Sequence, residues 1–531
     1  PQAVARNKII PIPIPILGLN TVNPFVSFDS GYAREFTNQM LLNGRVYSRA
    51  TCRTQLYNPS LTSNGVHWFD VVNADINGDA ILPDGKIRRI SDGSGATTIG
   101  GSPSYNATQV KHVSLNLVFG CREPRLARSP FTTWTFTTLG ITATVINCGC
   151  SHRGRLYVTD GSTIEWSNVE QITGTMAGTT SLSAFLDGQS IIRMFSVTIN
   201  PSLTTENVLV LFGDGGRVLV YQGENPGASN WQLIGKFDMP KPISNVSFVE
   251  ISGDIFVAGR TFAYWFRDLF NGGAQTAYDN SPTRPIENLW NTATWKSSVS
   301  DQEVSHSFYM ASIDAIITMS SEQSIGSLYA YTDIADYQNE GVYYVYFRKY
   351  NAWGIWFAPP FFTPVQDDGV GGFWGTSYAS EIRTFGGPAF MRDSFLGVDI
   401  DVETSWKTPY LSLPGGNGLK VNGVRLFFEN TISGYFHKVR AIFDNSDYNS
   451  VPFGWYTQST VAQYNPGNYG EASNDSGAHT YNQYNPFLGV GGSGGAVSLQ
   501  FTMKPKSGSL YSQRQSIYAA NLILEDAGEM F

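Results

Sequence analysis

Six features of the sequence carry residue types that could do chemistry. Gly491-Gly492-Ser493-Gly494-Gly495 has the G-x-S-x-G form of a nucleophile elbow, a strained strand-to-helix turn that exposes a serine Oγ. A strand-like stretch, Ala496 to Lys504, follows it instead of a helix, so Ser493 reads as a turn residue. Asp75, Asn77 and Asp79 open a stretch shaped like a calcium loop, but Ala80 stands where the sharp turn needs glycine and Lys86 where a bidentate glutamate belongs. A polar hairpin accounts for that stretch. Asp399 and Asp401, two apart on a strand, share a face and form a carboxylate pair of the kind glycoside hydrolysis uses; a solvated face explains them as well. Ser473 to Tyr481 approximates the Asp-box of sialidase-type propellers, occurs once, and carries an extra residue before Thr480. Such boxes are turn structure and do not catalyse. His67, His112, His152, His306, His437 and His479 are scattered without an H-E-x-x-H or a C-x-x-C partner motif, so they read as structural. Cys148 and Cys150 share one face of a strand with no second pair nearby and read as free buried thiols. The reading therefore assigns no catalytic, cofactor-binding or metal residue, expects no cofactor, and does not make the chain an enzyme.

These residues hang on short strands. Hairpins are predicted at 155–166, turning at Asp160-Gly161, at 208–223, turning at Asp214-Gly215-Gly216, and at 248–266, turning at Gly253-Asp254 and near Gly259. Residues 315–332, 341–357 and 371–386 continue the series, and 66–73 and 109–120 precede it. The spacing is irregular but near the period of propeller blades. In 208–212 both alternating sets are apolar: Val208, Val210 and Phe212 on one side, Leu209 and Leu211 on the other. The stretch 342–347 behaves alike. Strands apolar on both faces are covered on both faces, which blades packed face to face supply. The expected fold is all-β: a β-propeller over 45–394, then a second β domain of the sandwich kind over 395–531. That second domain has longer strands at 395–406, 419–430, 435–444, 496–504 and 516–525 and a long Asn/Tyr/Gly-rich loop at 461–495. Residues 1–44 read as an arm and a short helix. Pro11, Pro13 and Pro15 alternate with isoleucines and make an extended arm or an edge strand, lying on the chain's own surface or a neighbour's. Asp29 or Ser30 is placed to cap a helix over 34–42, closed by Gly44.

Composition sets the outer limits. The 531 residues include 15% charged and 14% aromatic side chains, with 54 glycines. That is too little charge for a coiled coil and too many aromatics for a disordered chain. No run of 18 apolar residues offers a membrane-spanning helix. A net charge of −8 suits nucleic-acid gripping poorly. Four cysteines do not make a disulfide scaffold. The first residues lack the charged and apolar regions of a secretory signal.

The order of landmarks resembles the tail nozzle (tail hub) proteins of short-tailed bacteriophages. Asp29, Gly31, Tyr32, Ala33 and Asn38 match an N-terminal D-x-G-Y-A-x-x-x-x-N segment. His152, Arg153, Arg155, Leu156 and Tyr157 match a mid-chain blade, and Val218 to Gly223 followed by Trp231 match the next. Gly371 to Thr376, Ile400 to Trp406, Gly491 to Leu499 and Tyr518 to Leu522 complete the series. Arg49-Ala50-Thr51 stands where that family has an Arg-Pro-Gly turn. The likeness spans nearly the whole chain, and its order is more telling than any one motif.

The resemblance implies a six-bladed propeller with a platform-like β domain, and a structural virion protein: a homohexameric ring below the portal and a tail adaptor (head-to-tail connector), beside tail fibres or spikes. Its channel would pass the genome and close the tail. The expected location is the phage tail, after assembly in the host cytoplasm. Duplex DNA is expected to pass without specific binding, because each phosphate contact would add salt-sensitive affinity and brake ejection. The competing reading is a receptor-binding or glycan-binding and depolymerising propeller, which would show a carboxylate cluster or an exposed aromatic platform.

Overall fold

The computed structural model describes residues 8–22, 31–49, 139–143, 146–199, 206–295, 305–320, 341–358 and 401–412, and elsewhere single strands and a few adjoining residues. Among them β-strands dominate. Six short antiparallel sheets follow one another along the chain: residues 68–98, 108–136, 148–181, 191–238, 248–265, and 366–385. They are called here the first to the sixth sheet. Within each, strands pair in chain order, as a meander does. The sixth takes its last strand from far upstream: Cys52–Tyr57 pairs with Glu381–Phe385, Cys52 opposite Phe385. The opening strands of the second, third and fourth sheets, Thr108–His112, Cys148–His152 and Ile191–Ile199, lie side by side.

Local sequence explains the meanders. Arg153-Gly154 and Ser252-Gly253 each have two consecutive positive φ angles, 48° and 72°, then 52° and 74°. That is the two-residue hairpin turn whose twist matches the strands. The sheets then stack through both faces. Val208, Val210 and Phe212 of the fourth sheet pack with Phe248, Ile255 and Val257 of the fifth. Leu209 and Leu211 pack with Cys148, Cys150, Tyr157 and Ile164 of the third. The two-sided cover expected from this stretch is what the chain forms. Each fully buried aliphatic side chain contributes about 1.5–3 kcal/mol, so the double-faced strand is a main source of cohesion between sheets.

Two larger sheets gather most of the rest, apart from the short pairs Leu139–Gly140 with Gly174–Thr175 and Arg392–Phe395 with Val398–Asp401. In the ten-stranded sheet, residues 307–310, 315–320, 341–347 and 352–358 run on into Glu35–Thr37, Thr404–Lys407, Ala496–Pro505, Tyr435–Phe443 and Tyr456–Thr457, with Leu411–Ser412 at its side. Its core holds Phe36, Trp353, Trp356, Trp406 and Phe501. The seven-stranded sheet joins Gln39–Leu42, Arg45–Ser48, Ser516–Asp526, Leu419–Phe428 and Phe487–Gly489, with Lys8–Ile12 and Ser493–Gly494 attached.

The helix expected over 34–42 is not there. Glu35–Thr37 and Gln39–Leu42 are strands, and Gly44 closes a hairpin with Arg45–Ser48. Phe36, Met40 and Leu41 are buried in the large core, and pairing with residues 355 and 405–407 outweighs the local helical preference. The proline arm is an edge strand on its own chain: Lys8–Ile12 pairs antiparallel with Ser516–Asp526, Ile10 opposite Leu522. Conversely, Phe266–Asp279 and Glu287–Thr292 are helices that the strand pattern does not foretell. Gly273, at φ 77°, kinks the first. The loop expected over 461–495 is in part strand: Phe487–Gly489 and Ser493–Gly494 pair with Leu419–Phe428, whose backbone offers them a ladder. Residues 461–486, the Asp-box-like stretch and the second half of the 315–332 hairpin lie outside the described residues.

Candidate functional site

Two landmark stretches from consecutive sheets meet between the third and fourth sheets. His152 is the last residue of Cys148–His152, just before the Arg153-Gly154 turn. Its Nδ1 lies 2.8 Å from Ser196 Oγ and its Nε2 lies 3.4 Å from the Gly223 carbonyl. A carbonyl only accepts, so Nε2 carries the proton and Nδ1 accepts from the hydroxyl. Burial pushes the imidazole pKa down to about 4, which keeps the ring neutral. Tyr157 meets His152 edge-on at 5.8 Å, and its hydroxyl donates to Glu224 O at 2.7 Å. Trp231 is stacked with both Tyr157 (6.3 Å) and Tyr221 (5.0 Å). Burial pushes the Tyr221 phenol up to about 12. Gly223 sits at φ 116°, where a Cβ would collide with the Asn230 carbonyl. His152, Tyr157, Tyr221, Gly223 and Trp231 form one aromatic joint.

The same clasp occurs one sheet earlier. His112 ends Thr108–His112 in the second sheet; its Nδ1 lies 3.0 Å from Ser151 Oγ and its Nε2 3.1 Å from Gln171 O in the third. Burial lowers its pKa as well. Each histidine ties the end of one sheet's first strand to the next sheet, through a serine and a carbonyl. The sequence did hold a signal. His112 and His152 are forty residues apart, each followed after a short turn by a strand whose last residue but one is valine, Val118 and Val158.

A second joint has another chemistry. Asn38, at φ 54°, interrupts the strands around it. Its Oδ1 accepts from Arg49 Nε at 3.0 Å and from Phe357 N at 2.7 Å, while its Nδ2 donates to Glu403 O at 2.9 Å. Arg49 also donates to the Phe357 carbonyl. Both side chains are fully buried. The landmark asparagine and the arginine eleven residues on thus lock residues 38–49 to the strand ending at 358 and to the turn before Thr404. Beside them runs a buried polar face. Glu35, Thr37, Ser405, Lys407, Gln500 and Thr502 lie on three adjacent strands, Glu35 opposite Lys407 and Ser405 opposite Thr502. Gln500 Nε2 reaches Glu35 Oε2 at 3.4 Å and Ser405 Oγ at 3.3 Å. Sequence reasoning missed this face, because alternation in 496–502 reads as apolar-in and polar-out, while here both sides are covered.

The remaining sequence candidates do not converge on one place. Cys148 and Cys150 are buried free thiols, as expected, and burial raises both pKa values, Cys148 to about 12, which makes them poor nucleophiles. Residues 78–81 and 86–89 pair as a hairpin where the calcium-loop-like stretch lies. Ser493–Gly494 is followed by the strand Ala496–Pro505, so the elbow geometry is missing. Asp399 and Asp401 lie on Val398–Asp401, paired with Arg392–Phe395; their side chains lie outside the described residues, as does that of His437. His67 and His479 lie outside them altogether. His306 is buried. Among the described residues no group of three His, Cys, Asp or Glu side chains is placed to hold a metal ion, and no helix is long and apolar enough to cross a membrane.

No family model matches the chain, and no curated protein is similar to it. Among solved structures, the crystal structure of BBS1N in complex with ARL6DN, soaked with lead, is similar at 11% identity, covering 64% of this chain and 98% of its own, with a TM-score of 0.36. The same complex soaked with mercury gives 10% identity, 64% and 97% coverage, and a TM-score of 0.37. A likeness this loose transfers neither a fold detail nor a partner.

Proposed function

We propose that the chain is a structural ring component of the tail nozzle kind, with its small sheets arranged as propeller blades. The observation that carries this reading is the aromatic joint. The two mid-chain landmarks that resemble nozzle proteins come together in it, and every member acts by packing or by a closed hydrogen bond. His152 has both ring nitrogens committed, and Tyr157 spends its hydroxyl on a carbonyl. Such a joint holds neighbouring blades rigid; of its buried polar side-chain atoms only the Tyr221 hydroxyl is left without a hydrogen-bond partner. In this reading the six small sheets are six blades, and Cys52–Tyr57 closes the ring by completing the last. Residues 307–358 fill the gap after the fifth blade and merge with the platform-like part.

Ring assembly then uses surfaces that the single chain leaves open. Because residues 8–12 pair with their own chain, the arm contributes through outward side chains such as Ile9 and Ile16, not through a missing strand partner. The test is the mass of the native assembly, by light scattering on protein released from particles and on recombinant protein mixed with its adaptor. A species six times the 58.3 kDa chain mass is expected. A monomer in assembled particles, or turnover of bacterial polysaccharide abolished by Asp399→Asn, overturns the reading in favour of a glycan-degrading propeller.

A further inference from the structure

Among the described residues the exposed large apolar side chains, Phe185 apart, gather in two places. Ile9, Ile16 and Val22 lie on the N-terminal arm, which runs against residues 520–524, Trp353 and Pro285 of its own chain. Val113 and Val169 lie at one end of the second and third sheets. Val113 opens the turn after Thr108–His112 at φ 48°. The sister turns place Arg153 and Ser252 at that angle, each ahead of a glycine. A β-branched residue is strained there, and at 41% exposure its side chain gains little packing in return. Val169 is 56% exposed, yet its loop is closely braced. Glu170 N donates to Gly154 O at 2.7 Å. Gln171 Oε1 accepts from Asn168 N at 2.8 Å, and its Nε2 donates to Thr173 O at 2.7 Å and Thr175 O at 2.9 Å. The Gln171 carbonyl takes the His112 Nε2 proton, which ties the Val113 turn to the Val169 loop. Arg153 and Glu170, both exposed, add opposite charges at the edge. An apolar centre with a polar rim, on backbone that is already ordered, has the anatomy of a docking surface.

We propose that this valine patch receives the N-terminal arm of a second copy of the chain. The arm presents Ile9 and Pro11 outward while Ile12 is buried. Pro11 has no N–H to offer a further strand, so the arm docks through side chains. In the single chain the arm lies elsewhere and the patch stays uncovered. Charge favours a neighbouring copy: the first 22 residues carry Arg6 and Lys8 and no acid, while the whole chain stands at −8. A contact between two different surfaces is heterologous, and its repetition closes a ring. The inference rests on the ring reading and names the two surfaces that close it.

Light scattering on full-length chains, under the conditions that give the unaltered chain its ring, tests the contact. Val113→Gly suits the positive φ and removes the apolar side chain, so the urea midpoint should hold or rise while the ring fraction falls about tenfold. A patch variant (Val113→Gly, Val169→Glu) and an arm variant (Ile9→Glu, Ile16→Glu) should each be a folded monomer. Their equal mixture keeps one intact junction, the arm of the first on the patch of the second. It should give pairs of twice the 58.3 kDa chain mass that neither variant gives alone. Rings of unchanged stability in the patch variant assign the valines to a different protein and overturn the contact. Unchanged rings in the arm variant, or a mixture that stays monomeric, overturn it too, and in each case the ring reading stands. An unaltered chain that forms no ring overturns both.

Discussion

The two joints solve the same problem by opposite means. Between the third and fourth sheets, contact is made by rings: Trp231 beside Tyr157 and Tyr221, and a histidine held neutral. At Asn38 and Arg49, contact is made by a buried charge and an amide that serves several partners at once. The first joint links elements that are neighbours in the chain; the second links residues 38–49 to positions more than 300 residues away. Apolar stacking tolerates small shifts, as repeated sheets need. A hydrogen-bonded charge accepts one geometry, as a junction between distant segments needs.

The comparison breaks most visibly at the charged joint. Asn38→Ala should cost about 3–5 kcal/mol, since it removes one acceptor from the buried Arg49 and at the same time the partners of Phe357 N and Glu403 O. The Asn38→Ala, Arg49→Met double variant should cost clearly less than the sum of the two single losses, as read from urea midpoints. Equal additivity would mean that the two side chains act separately. Trp231→Ala should cost about 3 kcal/mol. Its loss should appear as faster amide exchange in 148–238, with protection in 341–358 unchanged.

Acid sharpens the contrast. The folded pKa of His152 lies below its ordinary value, so the unfolded chain takes up the proton first. Its penalty is absent above pH 6.5, grows as pH falls below that, and levels off near pH 4. At pH 5 it amounts to about 2 kcal/mol. His152→Gln should flatten that part of the stability profile, while variants at Asn38 should leave its slope alone. The smallest effect on the chain itself is expected for Ile9→Glu, within about 0.5 kcal/mol, because Ile9 is 59% exposed. In the proposed ring it should instead reduce the assembled fraction, measured by light scattering.

Much of the strand order was legible because it is local. Asp160-Gly161 and Asp214-Gly215-Gly216 mark their turns, and the doubly apolar 208–212 announces cover on two sides. What was not legible depends on distant partners. Residues 34–42 look helical until residues 355 and 405–407 supply strands to pair with. Residues 266–279 look β-prone, with three aromatics (Phe266, Phe270 and Tyr278) and a Gly-Gly pair, until Phe266 and Leu269 find the fourth and fifth sheets to pack on. The joints lay between these limits. Each member of the aromatic joint stood in a recognisable landmark, but only the packing of two sheets makes them one object.

The pairing of Lys8–Ile12 with Ser516–Asp526 bears on how the protein is made. Synthesis proceeds from the N-terminus at roughly 5–20 residues per second, so the first strand waits on the order of 25–100 s for its partner to leave the ribosome. Cys52–Tyr57 waits about two-thirds as long for Glu381–Phe385. During that interval the middle sheets can form by local closure, while two strand edges near the N-terminus stay open to pairing with other nascent chains. Productive folding is therefore a race between translation and intermolecular capture, and slower elongation or crowded polysomes should lower the yield of native protein more than they would for a chain whose ends do not meet.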